Sequence, residues 1–146
     1  GYPTDYKAPY PSVDLILEII RLKQSLINRK SNDHVNTTFR LGEVYEMEET
    51  VRNYEKATKW YEKAAEQGHG LAQYRMGIMC QYYRRGIAMD YQEAYKEAAK
   101  WYQKAAEQRY PHAQNSLGWM YEYGFGVERD HEKATKCYQE SCDMVK

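Results

Sequence analysis

The string WYEKAAEQ at Trp60–Gln67 returns as WYQKAAEQ at Trp101–Gln108, and a weaker third copy, CYQESCDM, stands at Cys137–Met144. Self-similarity at a fixed period signals a repeat architecture, so this reading precedes any other. Further columns recur in register. Ala72-Gln73 returns as Ala113-Gln114; Leu41-Gly42, Met76-Gly77 and Leu117-Gly118 form a second column; Lys56-Ala57 and Lys133-Ala134 a third. Tyr45, Cys80 and Tyr121 each follow their glycine by three residues.

The spacing from Gly42 to Gly77 is 35 residues, and from Gly77 to Gly118 it is 41. Most of the excess lies in EAYKEAAK (Glu93–Lys100), which reads as one duplicated helical turn. Four added residues are close to one turn of ~3.6, so the helix keeps its face. Each unit predicts two helices. The first spans Thr37–Met47, Ala72–Tyr83 and Ala113–Tyr123; the second spans Tyr54–Gln67, Tyr91–Gln108 and His131–Met144. Ala, Glu, Lys and Gln, all strong helix formers, fill the second set. Asn53, Asp90 and Asp130 stand at N-cap positions. Gly68 fits a C-cap, Arg109 replaces it one unit later, and Pro111 reads as the stop that follows. A mid-helix glycine costs ~1 kcal/mol relative to alanine. Three of them imply a close helix–helix approach, with Ala57, Ala94 and Ala134 expected opposite. Gly124 and Gly126 predict a positive-φ turn in unit three, a pattern that units one and two lack in full.

Composition narrows the function classes. The chain of 146 residues fits one domain. Twenty-one Lys and Arg balance twenty-one Asp and Glu, a poor basis for binding nucleic acid. No apolar run has the ~18 residues of a membrane span, and GYPTDYKAPYP lacks a signal-peptide layout. Nine of the 19 Leu, Ile and Val residues lie between Val13 and Ile27, so the rest of the core relies on alanine and aromatic rings. Cys80, Cys137 and Cys142 form no C-x-x-C pair and read as reduced thiols, placing the protein in the cytoplasm. His34, His69, His112 and His131 have no zinc-ligand spacing. No metal site, cofactor or catalytic residue is expected, and the protein is not expected to be an enzyme.

These columns resemble the Sel-one-like repeat (SLR) family, a relative of the tetratricopeptide repeat. Unit three, AQNSLGWMYEYGFGVERDHEKATKCYQE (Ala113–Glu140), carries the family pattern, with Cys137 where Trp is expected. Unit one has EETVRN (Glu48–Asn53) in place of the G-x-G-V turn, and unit two has Cys80 in the Tyr column plus the insertion. The resemblance implies an all-α, right-handed α-solenoid of three antiparallel helix pairs. We divide the chain into an extended lead (1–11), an N-terminal helix and connector (12–36) and three repeats (37–71, 72–112, 113–146). In the N-terminal helix, Leu15, Ile19, Leu22 and Leu26 form one stripe and Ile16, Ile20 and Ile27 widen it. That helix is expected to cap the stack rather than to dimerise.

The resemblance also implies a protein–protein interaction scaffold or adaptor that holds a peptide or partner helix on a concave face. By analogy with this repeat class, Phe39 and Glu43 of unit one line that face. Tyr74, Ile78, Gln81 and Tyr82 follow from unit two, and Asn115, Trp119 and Tyr123 from unit three. Exposed aromatic strips of this kind mark partner sites; the competing reading is that a terminal segment with Tyr2, Tyr6 and Tyr10 covers the strip. Two alternatives stand beside the adaptor: a regulatory repeat region of a larger protein, and a β-lactam-binding or -hydrolysing relative of cysteine-rich repeat proteins, whose paired cysteines this chain lacks. The partner and the oligomeric state stay open.

Overall fold

The computed structural model describes residues 10–28 and 34–145. Seven α-helices and one short 3-10 turn make up its regular structure, with no strand among the described residues. The helices are α1 (Val13–Asn28), α2 (His34–Met47), α3 (Tyr54–Glu66), α4 (Gly70–Tyr83), α5 (Tyr91–Glu107), α6 (Pro111–Tyr123) and α7 (His131–Met144). Helices α2/α3, α4/α5 and α6/α7 are the three pairs. Each pair packs on the next through α3 against α4 and α5 against α6, and α1 lies on α2. The core runs along these seams as a chain of alanines, methionines and rings rather than as one aliphatic centre.

The helix ends follow from local chemistry. Asn53 Oδ1 accepts from the Lys56 N–H at 2.9 Å, Asp130 Oδ1 from Lys133 at 3.0 Å, and Asp90 Oδ2 from Gln92 and Glu93 at 3.0 and 3.3 Å. Ser12 Oγ does the same for Leu15 at 3.2 Å. Gly68 and Arg109 both take positive φ, 89° and 64°, immediately after α3 and α5. Three helices start two or three residues earlier than the sequence reading: α2 at His34, α4 at Gly70 and α6 at Pro111. Pro111 is the first residue of α6, not a stop behind α5, because a missing N–H costs nothing in a first helical turn. Residues 34–36, read as connector, are the first turn of α2. Residues 1–9 of the Pro/Tyr-rich lead, Tyr2 and Tyr6 included, lie outside the described residues.

The recurring glycines solve a different steric problem from the one expected. A Cβ on Gly42 would stand 2.5 Å from the Tyr61 ring, and one on Gly118 would stand 2.8 Å from Tyr138. At Gly77 it would collide with the Tyr102 ring. The nearest partner is therefore the tyrosine of each W-Y or C-Y pair; at Gly118 the Ala134 carbonyl oxygen also stands 3.2 Å away. Each tyrosine hydroxyl then donates to the side chain one turn beyond its glycine. Tyr61 reaches Glu46 Oε1 at 3.3 Å, Tyr102 reaches Gln81 Oε1 at 2.6 Å, and Tyr138 reaches Glu122 Oε2 at 2.6 Å. A large ring is buried and its polar tip is satisfied in one placement.

The turns inside the pairs also share more than their sequences show. Gly124 and Gly126 have φ of 70° and 73°, as the turn requires. Unit two turns at the same place with positive φ at Arg84 (47°), Arg85 (62°) and Gly86 (74°), one such residue more than unit three. RRGIAMD (Arg84–Asp90) is thus the structural counterpart of GFGVERD (Gly124–Asp130), with only its second glycine retained. That glycine is indispensable for contact: a Cβ on Gly86 would run into the Glu55 backbone, and one on Gly126 into the Tyr95 carbonyl. Each turn therefore seats on the second helix of the preceding unit.

Filling the slot under a ring is predicted to be costly. Gly77→Ala should lower the unfolding free energy by ~1–3 kcal/mol, and Tyr102→Phe, which keeps the ring and removes only the hydroxyl, by ~1 kcal/mol. Urea denaturation followed by circular dichroism measures both.

Candidate functional site

The first helices of the pairs, α2, α4 and α6, carry all nine residues assigned to the concave face, and the structure sorts them into three groups. Phe39 is core, not surface. It is 8% exposed, stacked on His69 at 4.6 Å and tilted on Tyr61 at 5.4 Å. The reason is that His69, which precedes α4, folds back over α2. Its Nδ1 accepts from the Ala72 N–H at 3.0 Å, so Nε2 carries the proton and faces Asn36 Oδ1 at 3.2 Å. Tyr74, like Phe39 three residues before its glycine, is half-buried between Tyr102 (5.9 Å) and His112 (6.0 Å). Ile78 is half-buried against the core, and Glu43 is partly exposed beside His69 and Glu46.

Four of the nine converge. Gln81 and Tyr82 of α4 and Asn115 and Trp119 of α6 line a cleft of about 190 Å³ together with Ser116. Tyr82 is 65% exposed and Tyr123, beside Trp119, is 55% exposed. Trp119 forms the half-buried floor: its ring lies 5.4 Å from Tyr123 and 5.1 Å from Phe125, stacked on the latter. Phe125 in turn rests on Tyr95 at 5.0 Å. Gln81 faces two ways, lining the cleft while accepting the Tyr102 hydroxyl. The cleft is lined by amides, hydroxyls and rings, with no charged side chain. Tyr10, the one described aromatic of the proposed covering segment, is itself 78% exposed.

Phe125 and Tyr95 were not anticipated. Phe125 was read only as the middle of a turn, and Tyr95 only as part of a duplicated helical turn. The extra length of α5, 17 residues against 13 in α3, is more than a spacer. It places the Tyr95 ring under Phe125 and sets Glu97 2.8 Å from Arg85, whose other guanidinium nitrogen lies 2.8 Å from Glu62. The turn of unit two is pinned between α3 and α5 by that double ion pair. Ser116 was also missed; it stands two residues before Gly118, on the cleft side of α6.

In unit one, α2 buries an acid. Glu46 accepts from Tyr61 and meets Arg75 Nη1 at 3.5 Å. Burial pushes its carboxyl above the ordinary carboxylate range, and Arg75 opposes the shift without cancelling it. The thiols play a structural part: Cys80 and Cys137 are buried, and burial drives Cys80 up to about 12, far from the thiolate a nucleophile needs. Cys142 is exposed. No group of three or more His, Cys, Asp or Glu side chains among the described residues could hold a metal ion. No helix among them is long and apolar enough to cross a membrane.

Comparison with known proteins agrees with this geometry. The Sel1 repeat family model matches residues 37–69, 70–110 and 111–145. The chain belongs to the Sel1 repeat family. Solved structures share its fold. A Sel1 repeat protein from Oxalobacter formigenes superposes with a TM-score of 0.70 at 24% identity, covering 98% of this chain and 97% of that one. A protective antigen of uropathogenic Escherichia coli with an SLR fold superposes with a TM-score of 0.71 at 27% identity, covering 90% of this chain but 30% of that one. Cysteine-rich protein B of Helicobacter pylori gives 0.62 at 20% identity, with 92% of each chain covered. A search of the curated proteins finds no match. Sel1 repeats are generally protein-interaction modules that bind protein partners, and their fold is typically a non-catalytic scaffold.

Two outcomes are expected at the buried acid and at His69. Glu46→Gln keeps an acceptor for Tyr61 without a buried charge, so its unfolding free energy should stay within ~1 kcal/mol of wild type. Glu46→Ala, which leaves Tyr61 and Arg75 without their partner, should cost clearly more in the same urea titration. Burial holds the His69 imidazole below its ordinary value, and its Nδ1 must stay unprotonated to cap α4. The unfolded chain takes up a proton near pH ~6.5 that the folded chain resists. The His69 contribution is therefore full above that pH and is lost as pH falls below it. Thermal melts from pH 7.5 down to pH 5 should show this decline, and His69→Asn, which caps without titrating, should flatten it.

Proposed function

We propose that this Sel1 repeat protein is an adaptor whose α4–α6 cleft receives a peptide or helix of a partner protein. Tyr82, Trp119 and Tyr123 serve as apolar anchors; Gln81, Asn115 and Ser116 orient the partner's polar groups. One observation carries this reading. Two tyrosines more than half exposed flank a cleft floored by a tryptophan. Aromatic anchors beside uncharged hydrogen-bonding groups are the composition of an interface centre. Phe39 now belongs to the support beneath the surface, and Tyr74 and Ile78 to its half-buried wall. Catalysis forms no part of the reading. The three unpaired thiols support a reducing compartment, the cytoplasm.

A second reading, that the repeats are a regulatory region within a larger protein, is favoured by the antigen that this chain matches over 30% of its length.

The test is affinity capture from native extract with wild type and a Tyr82→Ala/Tyr123→Ala double variant. Both side chains are exposed, so the variant should melt within a few degrees of wild type. A protein retained by wild type and lost by the variant supports the cleft. The same partners on both would move the binding surface off the α4–α6 cleft. Trp119→Ala should weaken capture further and also cost ~1–2 kcal/mol of stability, less than a fully buried tryptophan would.

A further inference from the structure

Helix α1 covers the end of the solenoid with one face and leaves the other bare. Ile19, Leu22 and Leu26 rest on the core beside α2. Two polar contacts fix this rotation: Glu18 Oε1 meets Arg40 Nη2 at 2.9 Å, and the Lys23 ammonium lies over the Tyr45 ring at 5.6 Å. Val13, Ile16, Leu17 and Ile20 therefore point away from the repeats and are 41–71% exposed. Their i, i+3, i+4, i+7 spacing makes a continuous stripe on one side of a helix. The cap and the dimer weighed as alternatives in the sequence thus describe two different faces of the same helix.

The charges along that stripe say what fits it. Asp14 and Arg21 are both exposed and stand seven residues apart, about two turns, so they share one rim. Neither has an ion-pair partner among the described residues. An antiparallel copy of the same helix brings like rims together, with Asp14 facing Arg21 twice over. The same arrangement opposes the two helix dipoles. It also lays Leu17 beside its own symmetry mate, with Val13, Ile16 and Ile20 on either side. A foreign helix has no reason to match this acid–base order; a twofold contact with a second copy matches it by construction. The formal net charge of zero leaves little long-range repulsion between copies.

We infer that the bare face of α1 is a self-association surface. A second copy docks its own α1 antiparallel across a twofold axis beside Leu17, with Asp14 of each copy against Arg21 of the other. This surface is separate from the α4–α6 cleft. A contact of one short helix per chain lies at the small end of interface sizes, so the dimer is expected to be weak and reversible.

Sedimentation equilibrium of the whole chain, from low to high micromolar concentration, tests it. Wild type should pass from monomer to dimer. Ile16→Glu and Ile20→Glu should stay monomeric across the range with unchanged circular dichroism, because both side chains are already exposed. Asp14→Lys or Arg21→Glu alone should weaken the dimer about tenfold by placing like charges face to face, as expected for two exposed pairs. The double exchange Asp14→Lys/Arg21→Glu should restore it. A wild type that stays monomeric throughout overturns the proposal and assigns the face to another polypeptide. A dimer indifferent to Ile20→Glu moves the interface elsewhere. A dimer broken by Ile20→Glu but not rescued by the double exchange overturns the antiparallel register.

Discussion

A tyrosine ring laid over a glycine holds this solenoid together. Without the Cβ at Gly42, Gly77 and Gly118, the first helix of each pair lets the ring of Tyr61, Tyr102 or Tyr138 approach its backbone, and the second helix can close. The hydroxyl of each ring must then find an acceptor, because a buried phenol without one is costly. Glu46, Gln81 and Glu122 supply it from one turn further along. Helix spacing, ring burial and hydrogen bonding are thus set by one contact repeated three times. A chain with few aliphatic residues after Ile27 can form a core this way: small side chains bring helices close, and rings fill what remains.

That constraint reaches the surface. Gln81 both accepts the Tyr102 hydroxyl and lines the α4–α6 cleft. The cleft wall is therefore tied directly to the core contact behind it. The lengthened α5 adds support from the other side. Tyr95 bears on Phe125, and Phe125 stacks on Trp119. The floor of the cleft is thus buttressed by a residue of the preceding unit, and units two and three act on it jointly.

Polar side chains also tie one unit to the next. Gln108 Nε2 of unit two donates to Gln73 Oε1 of the same unit at 2.7 Å and to the Gly68 carbonyl of unit one at 2.9 Å, while Gln73 Nε2 donates to the Ala65 carbonyl of unit one at 3.2 Å. These glutamines satisfy backbone acceptors freed where α3 ends. Across the same seam, Glu46 of unit one and Arg75 of unit two place a carboxylate and a guanidinium against Tyr61 at the desolvation cost that burial imposes. His69, at the end of unit one, caps α4 of unit two while stacking on Phe39 of α2.

The sequence by itself determined what depends on neighbours along the chain. The three Gly columns, the caps Asn53, Asp90 and Asp130, the helix-forming runs and the one-turn insertion were readable because caps, periods and propensities act within a few residues. It also showed that each mid-helix glycine needs a close neighbour. It could not name that neighbour: a helix wheel places Ala57 and Tyr61 on adjacent turns, and only the distance between two packed helices decides which side chain reaches across. Phe39 lay on the anticipated face yet is buried, because His69, which caps α4, folds back over it. Phe125 and Tyr95 lie 30 residues apart and carried no shared signal. RRGIAMD did not look like GFGVERD, because arginine rarely takes positive φ and does so here with Arg85 held between Glu62 and Glu97. Contacts of this kind depend on which surfaces the solenoid brings together, a property of the assembled helices and not of any one segment.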